Sequence, residues 1–122
     1  MIQRTTQLKC ADNCGAKNLN VVGIPKRGRS HYAYIGDVVV ASVRGASSTG
    51  SVKDHELVKA LIVRTRKERR RKDGSYIRFD DNAAIVLDDS RKMRGTKIFG
   101  PVAREIRDLG YTKVASVAPE VW

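Results

Sequence analysis

The chain has few of the residues that hold small secreted or metal-stabilised folds together. It contains 2 cysteines and 2 histidines among 122 residues, too few for a disulfide framework and without a ligand-like set for zinc. No apolar run approaches the roughly 20 residues of a membrane span, and residues 1–9 lack the apolar core of a signal peptide. We therefore expect a soluble intracellular protein without metal, cofactor or membrane, with Cys10 and Cys14 as reduced thiols.

Aromatic residues are also scarce, and the patterns of common catalytic sites are incomplete. Two Phe, four Tyr and one Trp are few for a protein that stacks successive bases of a single strand. Residues 45–52 have the two glycines of a phosphate-binding loop, but Ser51 and Val52 occupy the positions of the required lysine and Mg²⁺-binding hydroxyl. Asp80 and Asp81 would suit a metal-dependent nuclease, although such pairs in turns are usually solvated. We expect no catalytic residue and no small-molecule substrate.

Positive charge, in contrast, is abundant. The chain has 24 Lys and Arg against 13 Asp and Glu, a net charge of +11, while 41% of its residues are hydrophobic. This balance predicts a folded basic protein, and residues 1–122 have the length of one domain. Its partner is expected to be a polyanion, and the scarcity of aromatics favours a folded RNA bound through its shape and phosphates.

The charge is concentrated in residues 66–79, which we call the basic ribbon. Between Arg66 and Arg78 there are seven basic and two acidic residues, a net charge of +5. The Asp73-Gly74 pair predicts a two-residue type I′ hairpin in which Arg71 faces Tyr76. Cations would then lie on both faces, which favours a ribbon that projects toward a polyanion. The predicted RNA contacts are Arg64, just before the ribbon, and seven residues within it: Arg66, Lys67, Arg69, Arg70, Arg71, Lys72 and Arg78.

A second basic segment follows Pro25. It is small, contains glycine and carries Lys26, Arg27 and Arg29, which we predict as further phosphate contacts. An ordinary solvated loop explains the same composition equally well.

Short apolar segments at hairpin spacing predict a mainly β protein, either a small antiparallel barrel or a sandwich. These segments are 6–11, 19–24, 38–43, 57–66 and 83–87.

The C-terminal third changes period and predicts a helical segment over 101–118. Val102, Ile106 and Leu109 follow helical spacing, and Gly110 suits the end of the first helix. We expect the Val102 face to pack on the barrel, because so short a helix is unstable alone.

Several motifs resemble those of the universal large-subunit ribosomal protein fourteen family, in its bacterial or organellar form. They occur in order over essentially the full chain, and the last is highly specific. The motifs are Ala11-Asp12-Asn13-Cys14-Gly15-Ala16, Ile35-Gly36-Asp37-Val38, Val63-Arg64-Thr65, Asp73-Gly74-Ser75, Ile77-Arg78-Phe79-Asp80, Asn82-Ala83 and Gly95-Thr96-Lys97-Ile98-Phe99-Gly100-Pro101-Val102. The chain departs from the family at Cys14, where Ser or Thr is usual, and in the less basic segment 47–55.

The resemblance implies a small five-stranded antiparallel β-barrel with a projecting basic β-ribbon and short C-terminal helices. It further implies a structural role in the large ribosomal subunit, with large-subunit rRNA and ribosomal proteins three and nineteen as partners. Small-subunit rRNA at an intersubunit bridge and a ribosome-silencing factor are further implied partners. The matched interface and docking residues are Thr96, Lys97 and Lys113. The implied location is a ribosome, either cytoplasmic or in a mitochondrion or plastid.

Two other functions remain open at this point. A free-standing binder of structured or single-stranded RNA, of chaperone type, would have the same charge and is distinguished by quenching of tyrosine fluorescence on short oligonucleotides. A nuclease ranks third and requires divalent-dependent cleavage that is lost on changing Asp80 and Asp81.

Overall fold

A computed structural model describes residues 2–25, 32–47, 50 and 52–122. Within them the chain forms seven strands followed by two short helices. The strands are β1 (Gln7–Cys10), β2 (Asn18–Gly23), β3 (Val38–Arg44), β4 (Leu57–Arg64), β5 (Arg69–Arg70), β6 (Tyr76–Ile77) and β7 (Ala83–Leu87), and the helices are α1 (Glu105–Asp108) and α2 (Thr112–Val117). None of the helices in this part of the chain is long and apolar enough to cross a membrane.

Five strands close into a barrel in the order β1-β2-β3-β4-β7, and β5 pairs with β6 in a separate ribbon. The predicted five-stranded barrel is confirmed. Its neighbouring strands are antiparallel except at the closure, where Lys9 pairs with Ala83 and Cys10 with Ala84 in parallel. The apolar runs of β3 and β4, both rich in Val or Ile, pair with each other in the barrel wall, because such side chains pack well on a pleated surface.

Alternate side chains of the five barrel strands point inward and fill the first core. Leu8, Leu19, Val39, Ile62 and Val86 are among its members, and all of them are fully buried. This alternation follows from the two-residue period of a strand. The barrel interior is therefore packed with side chains.

A second core lies outside the barrel wall, under the C-terminal segment. Leu61, Val63 and Ile85 point outward from β4 and β7 and meet Ile106 of α1 and Val114 of α2. Strand β7 is consequently buried along its whole length, as its unbroken apolar sequence requires. The helices, too short to be stable alone, are held by this contact.

The predicted helical segment is partly wrong at its start. Val102 is extended and forms a parallel bridge with Val121, so the helix begins at Glu105. Ile106 is buried as expected, whereas Leu109 stays 59% exposed and reaches the body only with its side-chain end, which lies against Gly36. Gly110 follows α1 with a φ of +100°, which confirms the predicted glycine stop.

A buried carboxylate ties the first turn of the chain to the closing strand. Asp12 Oδ2 accepts the backbone N–H of Val86 at 3.0 Å, and Asp12 Oδ1 accepts the N–H of Cys14 at 3.3 Å. The Cys10 thiol donates to the same Oδ1 at 3.0 Å and lies 3.7 Å from the Cys14 sulfur. Its hydrogen bond with Cys14, its burial and the charge of Asp12 together raise the pKa of the Cys10 thiol far above its usual value.

Candidate nucleic-acid interface

The basic ribbon is a hairpin with a three-residue connection. Arg69 pairs with Ile77 and Arg70 with Tyr76, and the N–H of Arg71 donates to the carbonyl of Ser75 at 2.7 Å. The N–H of Gly74 closes a turn on the Arg71 carbonyl at 3.0 Å, and Gly74 alone in the connection has positive φ, +89°. This is the pattern of a type I turn followed by a left-handed glycine.

The predicted two-residue turn is therefore wrong by one residue. Asp73 does not take the left-handed conformation that a type I′ turn requires, and its Oδ1 instead accepts the N–H and hydroxyl of Ser75 at 3.0 and 2.6 Å. These two bonds lower the pKa of the Asp73 carboxyl. A slip of one residue changes which side chains share a face. Ile77 therefore lies on the same face as Arg69 and Arg71.

This inner face contacts the body of the protein. The Arg69 guanidinium lies over the ring of Tyr34, with its Cζ 4.5 Å from the ring centroid. Arg71 Nε lies 2.7 Å from Glu105 Oε1, and the Arg71 side chain is only 12% exposed. Ile77 and Phe79 pack against the second core. The ribbon is therefore held by an ion pair to α1 and by apolar contact with the second core, which fixes the direction of its outer face.

The outer face carries the cations that are available to a ligand. Arg70, Lys72 and Arg78 are exposed, as is Arg66 where the chain enters the ribbon. Lys67, also exposed, pairs with Glu68 at 2.9 Å. The hydrogen bond from Lys67 is the largest cause of a lowered pKa of the Glu68 carboxyl. In the described part of the chain, none of Arg66, Arg70, Lys72 and Arg78 forms a side-chain ion pair.

Arg64, predicted as an RNA contact, is instead an internal residue. It is only 6% exposed, and its guanidinium donates to both carboxylate oxygens of Asp81 and to the carbonyls of Phe99 and Pro101 at 2.8–3.3 Å. A β-bulge between Ile62 and Arg64 interrupts the alternation of β4 just before this residue. Strict alternation would have placed Arg64 on the same face as Ile62, in the barrel interior.

Three other predicted contacts, Lys26, Arg27 and Arg29, lie outside the described residues.

The predicted docking residues come from two segments. Thr96 and Lys97 are exposed, and their backbone N–H groups donate to Asn13 Oδ1 at 2.8 and 3.1 Å. Asn13 Nδ2 also donates to the Thr96 hydroxyl at 3.0 Å, so the first turn of the chain holds this loop in place. Lys113 is exposed at the start of α2.

Sequence reasoning missed the residues that support the ribbon. Tyr34 and Glu105 are distant from it in the chain, and no local pattern connects them to Arg69 or Arg71. Trp122 was also missed, although its carbonyl accepts a hydrogen bond from Arg71 Nη2 at 2.5 Å. These contacts depend on tertiary structure.

One buried cluster has the residue types of a metal site. The side-chain ligand atoms of Cys10, Asp12 and Cys14 all lie within 4.8 Å of one another. Both Asp12 oxygens, however, already accept hydrogen bonds from within the protein. The cluster also has only three members in the described part of the chain, one fewer than a structural zinc site uses. In the structure, the hydrogen bonds of this cluster link β1, the turn that follows β1, and β7.

The whole chain matches a known protein family. The sequence model of the ribosomal protein L14p/L23e family matches residues 1–122, the same residues in which the motifs, the barrel and the basic ribbon are found. Members are structural proteins of the large ribosomal subunit, bind its rRNA and neighbouring proteins, and are normally not enzymes. The chain therefore belongs to the ribosomal protein L14p/L23e family and is a structural protein of the large ribosomal subunit.

Proposed function

We propose that the outer face of the basic ribbon is the main rRNA contact of this protein. The observation that carries the proposal is the division of the ribbon into two faces. Arg69 and Arg71 have partners on the body, whereas Arg66, Arg70, Lys72 and Arg78 are exposed and form no ion pair within the described residues. Exposed guanidinium and ammonium groups on a fixed surface are suited to phosphate contacts, which dominate RNA affinity.

A salt titration tests this assignment. Arg66, Arg70 and Lys72 are replaced together by alanine, and binding to a large-subunit rRNA fragment is measured from low to high salt. Each lost phosphate contact is expected to reduce the slope of log K against log salt by roughly 0.7–0.9, so the triple variant should lose roughly 2 to 3. A matched control replaces three exposed lysines outside the ribbon, Lys53, Lys59 and Lys92. An unchanged slope in the ribbon variant, or an equal loss in the control, would refute the assignment.

Lys26, Arg27 and Arg29 are proposed as a second phosphate contact, on the basis of their composition alone. Replacing the three by alanine in the ribbon variant should weaken rRNA binding further and reduce the slope of log K against log salt below that of the ribbon variant alone. If the two sets of substitutions together have no greater effect than the ribbon set, the loop makes no phosphate contact.

We also propose that Thr96, Lys97 and Lys113 face the subunit interface, where they bridge to small-subunit rRNA and receive a ribosome-silencing factor. In support, the first two are held by Asn13, and both segments are anchored on the second core through Ile98 and Val114. Reversing the charge of Lys97 and Lys113 should impair subunit joining and binding of the factor. If both remain intact, the surface lies elsewhere. Ribosomal proteins three and nineteen are the proposed protein neighbours.

A further inference from the structure

A small aromatic pocket lies beside the ribbon and is lined by residues from both of its faces. It has a volume of about 430 Å³ and is lined by Arg71, Tyr76, Ile77, Arg78, Phe79 and Trp122. Tyr76 is 67% exposed and Trp122 is 60% exposed. Exposed aromatic side chains that line one pocket are characteristic of binding surfaces.

The wall of this pocket formed by Trp122 is held at several points. The Trp122 N–H donates to the carbonyl of Val102 at 2.9 Å, and its indole Nε1 donates to Glu120 Oε2 at 3.0 Å. Arg71 connects this wall to the body, since its guanidinium contacts both the Trp122 carbonyl and Glu105. An aromatic ring held in this way loses little conformational entropy when a planar ligand stacks on it.

The opposite wall belongs to the ribbon. Tyr76 and Arg78 lie on its outer face, beside Arg70, whereas Ile77 and Phe79 contribute apolar surface and pack against the second core. The pocket therefore combines aromatic faces and apolar surface with a cation at its margin. A nucleotide has the complementary groups, an aromatic base and a phosphate, and base stacking on aromatic side chains is the usual way in which proteins hold unpaired nucleotides of RNA.

We infer that Tyr76 and Trp122 form a stacking site for one unpaired nucleotide of the bound RNA, with Arg78 contacting its phosphate. The inference rests on the proposed function, because the ribbon must lie on RNA for the pocket to be reached. Two aromatic residues serve a single bulged or looped base and do not track a strand. The site would add selectivity for an irregular feature of the RNA to a surface that otherwise contacts phosphates.

Trp122 is the single tryptophan of the chain, so its fluorescence reports on this pocket. The test uses three RNA hairpins of equal length: one with a bulged nucleotide, one fully paired, and one with an abasic residue at the bulge. Quenching is expected with the bulged hairpin and not with the other two. Equal quenching by all three, or none with the bulged hairpin at concentrations where binding is complete, would overturn the inference and leave the pocket to a protein partner.

Substitutions give a second readout, measured by anisotropy of labelled RNA. Tyr76→Ala and Trp122→Leu should each weaken binding of the bulged hairpin by about tenfold, within the range for loss of one stacked base, and leave the paired hairpin and the salt slope unchanged. Trp122→Phe retains a smaller aromatic face and should recover part of the loss. Phe99→Ala removes another exposed aromatic residue and serves as the control. Equal affinity of the Tyr76→Ala and wild-type proteins for the bulged hairpin would refute the site.

The two proposals can fail separately. If the Arg66, Arg70 and Lys72 variant keeps its salt slope, the ribbon is not the RNA contact and both proposals fail. If that slope falls but the bulged and paired hairpins bind equally well, the ribbon is the contact and only the stacking site is wrong.

Discussion

Replacing Arg64 by alanine should destabilise the protein without altering its electrostatic contact with RNA. Its guanidinium joins β4 to Asp81 and to the carbonyls of Phe99 and Pro101, and Gly100 packs directly on it. Removing it leaves two carbonyl groups and one carboxylate without their charged donor. Each such loss costs about 1–3 kcal/mol when the group stays buried.

The expected magnitude follows from the exposure of the partners. Removing one member of a fully buried ion pair costs about 3–5 kcal/mol. The Asp81 side chain is 37% exposed, whereas that of Arg64 is 7% exposed, so water can resolvate the carboxylate and the cost falls to the lower end, about 3 kcal/mol. At about 2.1 cal/mol/K of unfolding entropy per residue, a chain of 122 residues should lose roughly 12 °C in Tm.

Urea unfolding followed by far-ultraviolet circular dichroism measures this loss. Arg66→Ala is the matched control, because Arg66 is exposed and lies two residues further along the chain. The free energy of unfolding of the control should lie within about 0.5 kcal/mol of the wild-type value, and its slope of log K against log salt should fall by roughly 0.7–0.9, the value for one phosphate contact. Arg64→Ala should show the reverse pattern. An Arg64→Ala protein with unchanged stability and a reduced salt slope would show that Arg64 contacts phosphate and that its internal bonds contribute little.

Three further results are expected. Arg71→Ala should destabilise the ribbon and so speed hydrogen exchange of the backbone amide of residue 71, which donates to the Ser75 carbonyl, whereas Arg70→Ala should leave that exchange unchanged. Equal exchange rates in the two variants would contradict the division of the ribbon into two faces. The Cys10 thiol, whose pKa is raised, should resist iodoacetamide at pH 8 in the native protein and react only after unfolding, so rapid native alkylation would contradict its environment. Ser75→Ala should raise the pKa of Asp73 toward its usual value near 3.8, followed by NMR titration of the carboxyl. Because the pKa of Asp73 is lowered in the folded protein, its hydrogen bonds stabilise the turn fully at pH values above the usual pKa, and this stabilisation is lost as the pH falls through the folded pKa. An unchanged pKa in the Ser75→Ala variant would refute the assigned cause.

The barrel strands were predictable because their signals are local. The apolar runs of β3, β4 and β7 predict strands by composition, and the structure places each of them within a few residues of its predicted bounds. Gly110 was likewise identified as the end of α1, since a left-handed position after a helix favours glycine.

The errors occurred where a tertiary contact competed with a local pattern. The spacing of Val102 and Ile106 is helical, but Val102 gains a bridge to Val121, which no local signal predicts. Asp73-Gly74 suits two turn types, and the hydrogen bonds from Ser75 to Asp73 accompany the longer one. Arg64 belongs by sequence to a basic run, and only the positions of Asp81 and Phe99 in the fold show that its charge is used internally.

The parallel pairing of β1 with β7 also determines when the barrel can close. Lys9 and Cys10 cannot form their pairing until Ala83 and Ala84 have been synthesised, so contacts between early and late parts of the chain complete the fold. During synthesis at about 5–20 residues per second, the 23 residues from the end of β4 to the end of β7 take roughly 1 to 5 seconds to appear. Through that interval the facing edges of β1 and β4 are open, and the basic ribbon is made before β7 can fill the gap. We expect barrel closure to be a late, slow step, and Asp12 to gain its bond from Val86 only when that step is complete.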